Sequence, residues 1–224
     1  MNVAREKVVC LVSGGIDSPV AMALAARRFD VLPLHFCLYP YTCEDSFLVA
    51  MKVLEDLRKK VNFEKAIVYP WSKFLRLIMG SRDRSYACLQ CRRSMFRVAE
   101  LVCQREGASG MVTGESLGQK ASQTLSNLRA TAAGLKFPVL RPLLGMDKVE
   151  IEQLSRRLGI WHEVHAGCCY ATPKYPRTKA DPATVDSLLK ELNLEKLIED
   201  QFGNILEVRS FKEDFKHYLE SLAC

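Results

Sequence analysis

Residues 8–12 are a short apolar run, Val-Val-Cys-Leu-Val, that stops at Ser13-Gly14-Gly15-Ile16-Asp17-Ser18. A helical pattern over residues 18–28 follows at once. The chain must therefore pass from a buried strand, through a tight corner, into a helix. Two adjacent glycines allow that corner and let successive backbone N–H groups point into one concavity. The helix adds the positive end of its dipole. Such a corner suits a phosphate or pyrophosphate. It is not a Walker A loop, because the Gly-Lys-Ser/Thr ending is missing. A Gly-Gly pair alone is usually just a turn; the strand before it and the helix after it favour the anion site.

The rest of the chain repeats this alternation. Strands are expected over residues 7–12, 30–36, 64–68, 110–113 and 137–140, and helices over 44–61, 71–79, 92–105 and 147–158. Asp147 and Glu150 have the spacing of a capping box. Strand–helix alternation implies right-handed crossovers. The expected fold is α/β, an open parallel five-stranded sheet with helices on both faces. Ligands of such sheets sit beyond the strand C-termini, near the point where strand order reverses. Ser13, His35, Gly114 and Arg141 lie at or just after strand ends and should converge there. Pro173, Pro176 and Pro182 mark a loop, and from Thr184 a leucine stripe resumes at Leu188, Leu189, Leu192 and Leu197. The expected division is a main domain over 1–182 and a helical C-terminal extension over 183–224 packed on it.

With 224 residues, 48% of them hydrophobic, the chain can bury the core of one large domain. No run approaches the roughly 18 apolar residues of a membrane span. The N-terminus lacks the apolar segment of a signal peptide, so the expected location is the cytoplasm, with no membrane partner. The net charge of +6 is uneven. Residues 72–105 are basic, with Asp83 and Glu100 as the acids, and Lys174, Arg177 and Lys179 follow a second cysteine cluster with no acid among them. A basic run is most often a solvated face; two runs beside cysteines point to an anionic partner such as RNA.

Nine cysteines in a reducing compartment suggest metal or thiol chemistry more than disulfides. Cys88-Leu-Gln-Cys91 is a CxxC, and Cys168-Cys169 is an adjacent pair. Spacing of this kind lets both thiolates of a CxxC reach one metal centre. Three uses compete. An iron–sulfur cluster on three cysteines would leave one iron open. A four-thiolate zinc site would strain the neighbours Cys168 and Cys169. A redox use would make Cys91 or Cys169 a persulfide carrier. The bland alternative is a buried pair of small residues, since free Cys packs as a small hydrophobe.

The Ser13–Ser18 motif resembles the PP-loop of ATP pyrophosphatases. Taken with LHF and YPYT (Leu34 to Thr42), CRRSMFRVAE from Cys91, TGESLGQKASQTLSNL from Thr113, RPLLGMDKVEI from Arg141 and CCYATPKYPRTKA from Cys168, the chain resembles the catalytic domain of tRNA 4-thiouridine synthetases. That resemblance implies an adenine nucleotide alpha-hydrolase-like fold, with residues 1–182 as the ATP pyrophosphatase and thiolation domain. It implies that ATP adenylates the 4-oxygen of a tRNA uridine and that sulfur then displaces AMP. Ser13, Gly14, Gly15 and Ser18 would hold phosphates, and Asp17 would serve Mg²⁺ and catalysis. Cys10, Leu11, His35 and Phe36 would line the base and ribose; Arg92, Gly114 and Gln123 match the other ATP contacts. Cys169 aligns with the sulfur-handling cysteine. The CxxC resembles the archaeal-type branch, in which a [4Fe-4S] cluster stands in place of a persulfide relay, with Cys88, Cys91 and Cys169 as ligands and Cys168 as the alternative third.

The family's N-terminal ferredoxin-like and THUMP regions and its rhodanese domain are not expected in a chain whose PP-loop begins at residue 13. The tRNA contacts are then expected at Arg93, Lys174, Arg177 and Lys179, or on a separate RNA-binding partner. Sulfide or a cysteine desulfurase is the expected sulfur donor. A homodimer through the leucine stripe would enlarge the RNA surface; the same stripe could instead pack on its own sheet. Two rival functions remain: an ATP pyrophosphatase acting in sulfur transfer to another tRNA base, a small molecule or a carrier protein, and a non-catalytic nucleotide sensor.

Overall fold

The computed structural model describes residues 5–163, 169–212 and 214–223. β1 (Lys7–Leu11) leads through the Gly-Gly corner into α1 (Asp17–Ala25), then β2 (Asp30–Cys37), α2 (Glu44–Arg58), β3 (Ala66–Pro70) and α3 (Ser72–Met79). A long helix, α4 (Ala87–Glu106), precedes β4 (Gly110–Val112), α5 (Leu125–Ala132), β5 (Val139–Leu140) and α6 (Lys148–Leu158). The chain continues with α7 (Pro182–Glu191), α8 (Leu194–Gln201), β6 (Leu206–Val208) and α9 (Tyr218–Ala223).

The strand order is β5-β4-β1-β2-β3-β6. The five expected strands pair in parallel. A sixth, β6, adds antiparallel to β3 with Ala66 opposite Val208, so the C-terminal extension is not purely helical. Three residues are too few to show a period of two, and it is pairing with β3 that makes them a strand. Glu207 of this short edge strand is held by Lys65 at 3.0 Å, a charged closure of the kind that discourages further pairing.

Alternate strand residues face two apolar layers. Val8 and Cys10 face one layer with Val20, Met22, Leu54 and Leu57 of α1 and α2. Val9 and Leu11 face the other with Trp71, Phe74, Phe96 and Val102 around α3 and α4. Trp71 stacks on Phe74 with ring centres 4.1 Å apart.

Helix ends follow local chemistry. Asp147 and Glu150 make the expected capping box of α6. Helix α4 starts at Ala87 rather than Arg92, because Ala, Leu and Gln around the cysteines are good helix formers. Helix α5 was not evident in a Ser/Thr/Asn-rich segment; Thr124 caps it by accepting the Asn127 N–H at 3.2 Å.

The leucine stripe is not an exposed face. Leu188 and Leu189 are buried in the second layer with Val185 and Ile198, and Leu192 and Leu197 pack against it. Helices α7 and α8 pack this stripe against α4, α5 and each other, so it is covered within the chain. Leu188→Ala should cost about 2–5 kcal/mol, read as a lower denaturant midpoint in chemical unfolding. An unchanged midpoint would return the stripe to the outside.

Candidate active site at the sheet switch point

After β3 the chain crosses back to place β4 on the far side of β1, so strand order reverses between β1 and β4. The crevice beyond their C-terminal ends is the expected ligand position. The Ser13–Ser18 loop lies there. Ser13 N donates to Ser18 Oγ at 2.8 Å, and the two hydroxyls are 3.0 Å apart, which closes the loop on itself. The N-cap residue of α1, Ile16, has no side chain able to cap. The first-turn N–H groups are therefore suited to an anion. A Cβ on Gly114 would lie 2.6 Å from Ser18 N and 2.7 Å from Asp17 C, so only glycine lets β4 exit this close to the helix.

Charged groups gather around this corner. Lys148, the first residue of α6, meets Asp17 Oδ1 at 2.6 Å. Glu115 is buried, accepting from Arg141 Nε at 2.7 Å and from Thr113 Oγ1 at 3.1 Å, with Arg92 Nε 3.7 Å away. Glu115 and Lys148 are the site residues that sequence reasoning did not single out. One sits next to a strand-end glycine, and the other is hidden in a capping box. Gln123 is also buried, and its Oε1 and Arg141 Nη2 have no hydrogen-bond partner among the described residues. Unpaired buried polar atoms beside a phosphate-type loop fit a polar ligand.

The residues expected around the base and ribose sit deeper. Cys10, Leu11, His35 and Phe36 are all buried. Cys10 and His35 belong to one face of the sheet, whereas Leu11 and Phe36 sit in the opposite layer, so a nucleotide would meet the backbone of these strands. His35 Nδ1–H donates to Val12 O at 2.9 Å. Burial pulls its pKa down to about 4, and that hydrogen bond offsets only part of the shift. His35 is therefore neutral and tethers β2 to the loop that follows β1.

The cysteines form a second cluster at the same end of the molecule. Cys88 and Cys91 lie one helical turn apart at the start of α4. Trp71 Nε1–H donates to Cys91 Sγ at 3.2 Å. Burial pushes the Cys91 thiol up to about 12, and the nearby Cys169 and Cys88 act in the same direction. Tyr170 N–H donates to Tyr41 O at 2.9 Å, tying the Cys169 segment to the loop after β2. Among the described residues no three His, Cys, Asp or Glu side chains are arranged around a single metal ion. A cluster makes a different demand, since each thiolate binds its own iron. Three soft thiol donors from two segments fit that demand. Cys168 lies outside the described residues.

Of the expected RNA contacts, Lys174, Arg177 and Lys179 are exposed. Arg93 is not. It is 2% exposed, pairs with Asp186 and donates to Ala130 O at 2.6 Å, so its guanidinium joins α4 to α5 and α7 and is withdrawn from any RNA surface.

A doubly wound α/β sheet with a phosphate-type corner at its switch point places the molecule among nucleotide-binding folds. The model of the family described as thiamine biosynthesis protein (ThiI) matches residues 3–194, and the chain belongs to that family. A probable tRNA sulfurtransferase of Methanobrevibacter smithii is 38% identical over 207 residues, covering 90% of this chain and 54% of that protein. A 4-thiouridine synthetase solved in complex with RNA and bound ATP is 31% identical with a TM-score of 0.80, covering 91% of this chain and 55% of that one. The U34-tRNA thiolase NcsA of Methanococcus maripaludis, solved with its [4Fe-4S] cluster, is 15% identical over 88% of this chain and 74% of its own, with a TM-score of 0.55, and shares the fold. The chain spans about half the length of the curated relatives it matches. Among the described residues no helix is long and apolar enough to cross a membrane.

Two outcomes follow from this geometry. Gly114→Ala should push β4 away from α1 and lower the melting temperature. Wild-type melting would show that the close approach is dispensable. His35 has a folded pKa of about 4 against an ordinary 6.5, so the unfolded chain binds the extra proton between these values. Its contribution is complete above pH 6.5 and is lost as pH falls toward 4, at up to about 1.4 kcal/mol per pH unit. His35→Gln should flatten the stability profile in that window, and an unchanged slope would count against a buried neutral imidazole.

Proposed function

We propose that the chain uses ATP to activate a uridine of tRNA and then replaces its 4-oxygen with sulfur. One observation carries this: a phosphate-type helix terminus at the switch point has Asp17 and Lys148 at its mouth and shares its end of the molecule with Cys88, Cys91 and Cys169. The sulfurtransferase names of the relatives and the ATP- and RNA-bound 4-thiouridine synthetase support the reading.

In this reading the uridine 4-oxygen attacks the α-phosphorus of ATP. The bond to the bridging oxygen breaks, pyrophosphate leaves with the electron pair, and the N3 proton is lost. The N–H groups of α1 would hold the leaving charge, Asp17 would hold Mg²⁺ and Lys148 would meet the phosphate oxygens. Gln123 Oε1 and Arg141 Nη2, buried without a partner among the described residues, would meet the nucleotide. Hydrosulfide then adds at C4, the C4–O bond breaks, AMP leaves and the sulfur's proton passes to N3. Cys88, Cys91 and Cys169, with Cys168 the alternative third ligand, would hold a [4Fe-4S] cluster whose remaining iron has no protein ligand and can take up sulfide.

The family description names thiamine biosynthesis, which favours sulfur transfer to a carrier protein as the second reading. Incubation of anaerobically prepared protein with ATP, hydrosulfide and unmodified tRNA separates the two. tRNA-dependent AMP release and 4-thiouridine by mass spectrometry are expected. Asp17→Asn should lose both about a hundredfold or more. Cys169→Ser should keep tRNA-dependent pyrophosphate release and lose 4-thiouridine. AMP release that ignores tRNA and responds to a carrier protein would move the function to the second reading.

A further inference from the structure

Residues 169–180 form a strap whose backbone is fastened along its length. Beyond the Tyr170–Tyr41 bond, Arg84 Nη2 donates to Ala171 O at 3.2 Å and Arg177 N donates to Ser85 O at 2.9 Å. The start of α5 secures the far end. Asn127 Nδ2 donates to Arg177 O at 2.8 Å, and Ala180 N returns a bond to Asn127 Oδ1 at 3.0 Å. Thr124 Oγ1 and Ser126 Oγ donate to Thr178 O and Ala180 O at 2.7 and 2.9 Å.

On this fixed backbone the large side chains are left in solvent. Tyr170 is 67% and Tyr175 76% exposed. Lys174 Nζ is 5.5 Å from the centre of the Tyr175 ring, and Lys179 is exposed beyond it. The strap contains three cations and no acid. Exposed rings on tethered backbone lose little entropy when a flat partner stacks on them. Aromatic faces interleaved with cations are the chemistry that holds unstacked nucleotides. Cys169 begins the strap, so whatever lies on the Tyr170 ring is one residue from the proposed sulfur chemistry. A base inside a stacked tRNA cannot present its 4-position to such a site without leaving the stack, which strands its neighbours.

We infer that Tyr170 and Tyr175 form a stacking platform for the unstacked nucleotides that flank the reacting uridine, with Lys174 and Lys179 on their phosphates. The inference rests on the tRNA reading above. It is tested by titrating the full chain with an unmodified tRNA transcript. Tyr170→Ala with Tyr175→Ala should weaken tRNA binding by about tenfold per tyrosine. The paired Phe variant should restore it, and ATP affinity should stay at the wild-type value in both. Tyr175→Trp should show emission quenched by tRNA, the mark of direct stacking. Wild-type tRNA affinity and thiolation in the double Ala variant would overturn the platform and leave the tRNA reading intact. Loss of cysteine desulfurase binding with tRNA affinity unchanged would make the strap a protein-docking surface and overturn the inference. Absence of tRNA binding and of tRNA-dependent AMP release in the wild-type chain would overturn the tRNA reading and the platform together.

Discussion

The contact on which the site depends is between backbones. Gly114, just past β4, lies against the Asp17–Ser18 turn of α1 where no Cβ could fit. That approach fixes two elements from opposite sides of the switch point in one place. The phosphate corner then needs no side chain of its own beyond Ser13 and Ser18. One residue after the glycine, Glu115 enters the protein buried and is met by Arg141 from the end of β5 and by Arg92 from α4. Buried charge of this kind is weak evidence for stability but strong evidence for a fixed arrangement, because removing one partner strands the other. The site is thus assembled from strand ends that reach one another through Gly114 and Glu115.

The strap solves a different problem. Cys169 is separated by most of the chain from the corner at Ser13, and between Cys169 and α7 there is no regular element to locate it. Side-chain groups do the work instead. Asn127 is fully buried and uses both its amide nitrogen and its oxygen on strap backbone, while its nitrogen also donates to Ala121 O at 2.7 Å. A buried carboxamide satisfied this way specifies one arrangement and leaves few alternatives. A loop rich in proline and threonine becomes a defined surface because α5 presents Thr124, Ser126 and Asn127 at its start.

Much of this was legible in the sequence, and the reasons differ by feature. The five parallel strands are apolar runs bounded by glycine, proline or acidic turns, and period and punctuation suffice to place them. The convergence of Ser13, Gly114 and Arg141 follows from strand ends in a parallel sheet. Strand β6 was not legible, because its three residues are strand only by virtue of β3. Helix α5 was hidden since Ser, Thr and Asn favour caps and turns as readily as a short helix. The start of α4 was misplaced by five residues because Cys88-Leu-Gln-Cys91 reads as a chemical motif before it reads as a helix. Glu115 and Lys148 lay inside long motifs without any local signal that separates a site charge from a surface one.

The two adjacent arginines of α4 show where charge counting fails. Successive helical residues point about 100° apart. Arg92 turns toward Glu115 in the site, and Arg93 turns into the packing between α4, α5 and α7. Much of the remaining basic run is paired as well: Arg82 with Glu191, Arg97 with Glu100, Arg105 with Glu207. Several of these pairs are exposed and add little stability, yet each one cancels part of the field that the run would present to an anion. Among the described residues Arg177 alone on the strap has a carboxylate near it, Asp83 at 3.8 Å, and that guanidinium also lies over the Tyr86 ring. Among the described residues no carboxylate pairs with Lys174 or Lys179. The charge of the longer basic run is therefore partly cancelled by its own pairs, whereas Lys174 and Lys179, on the short segment that begins with Cys169, keep theirs.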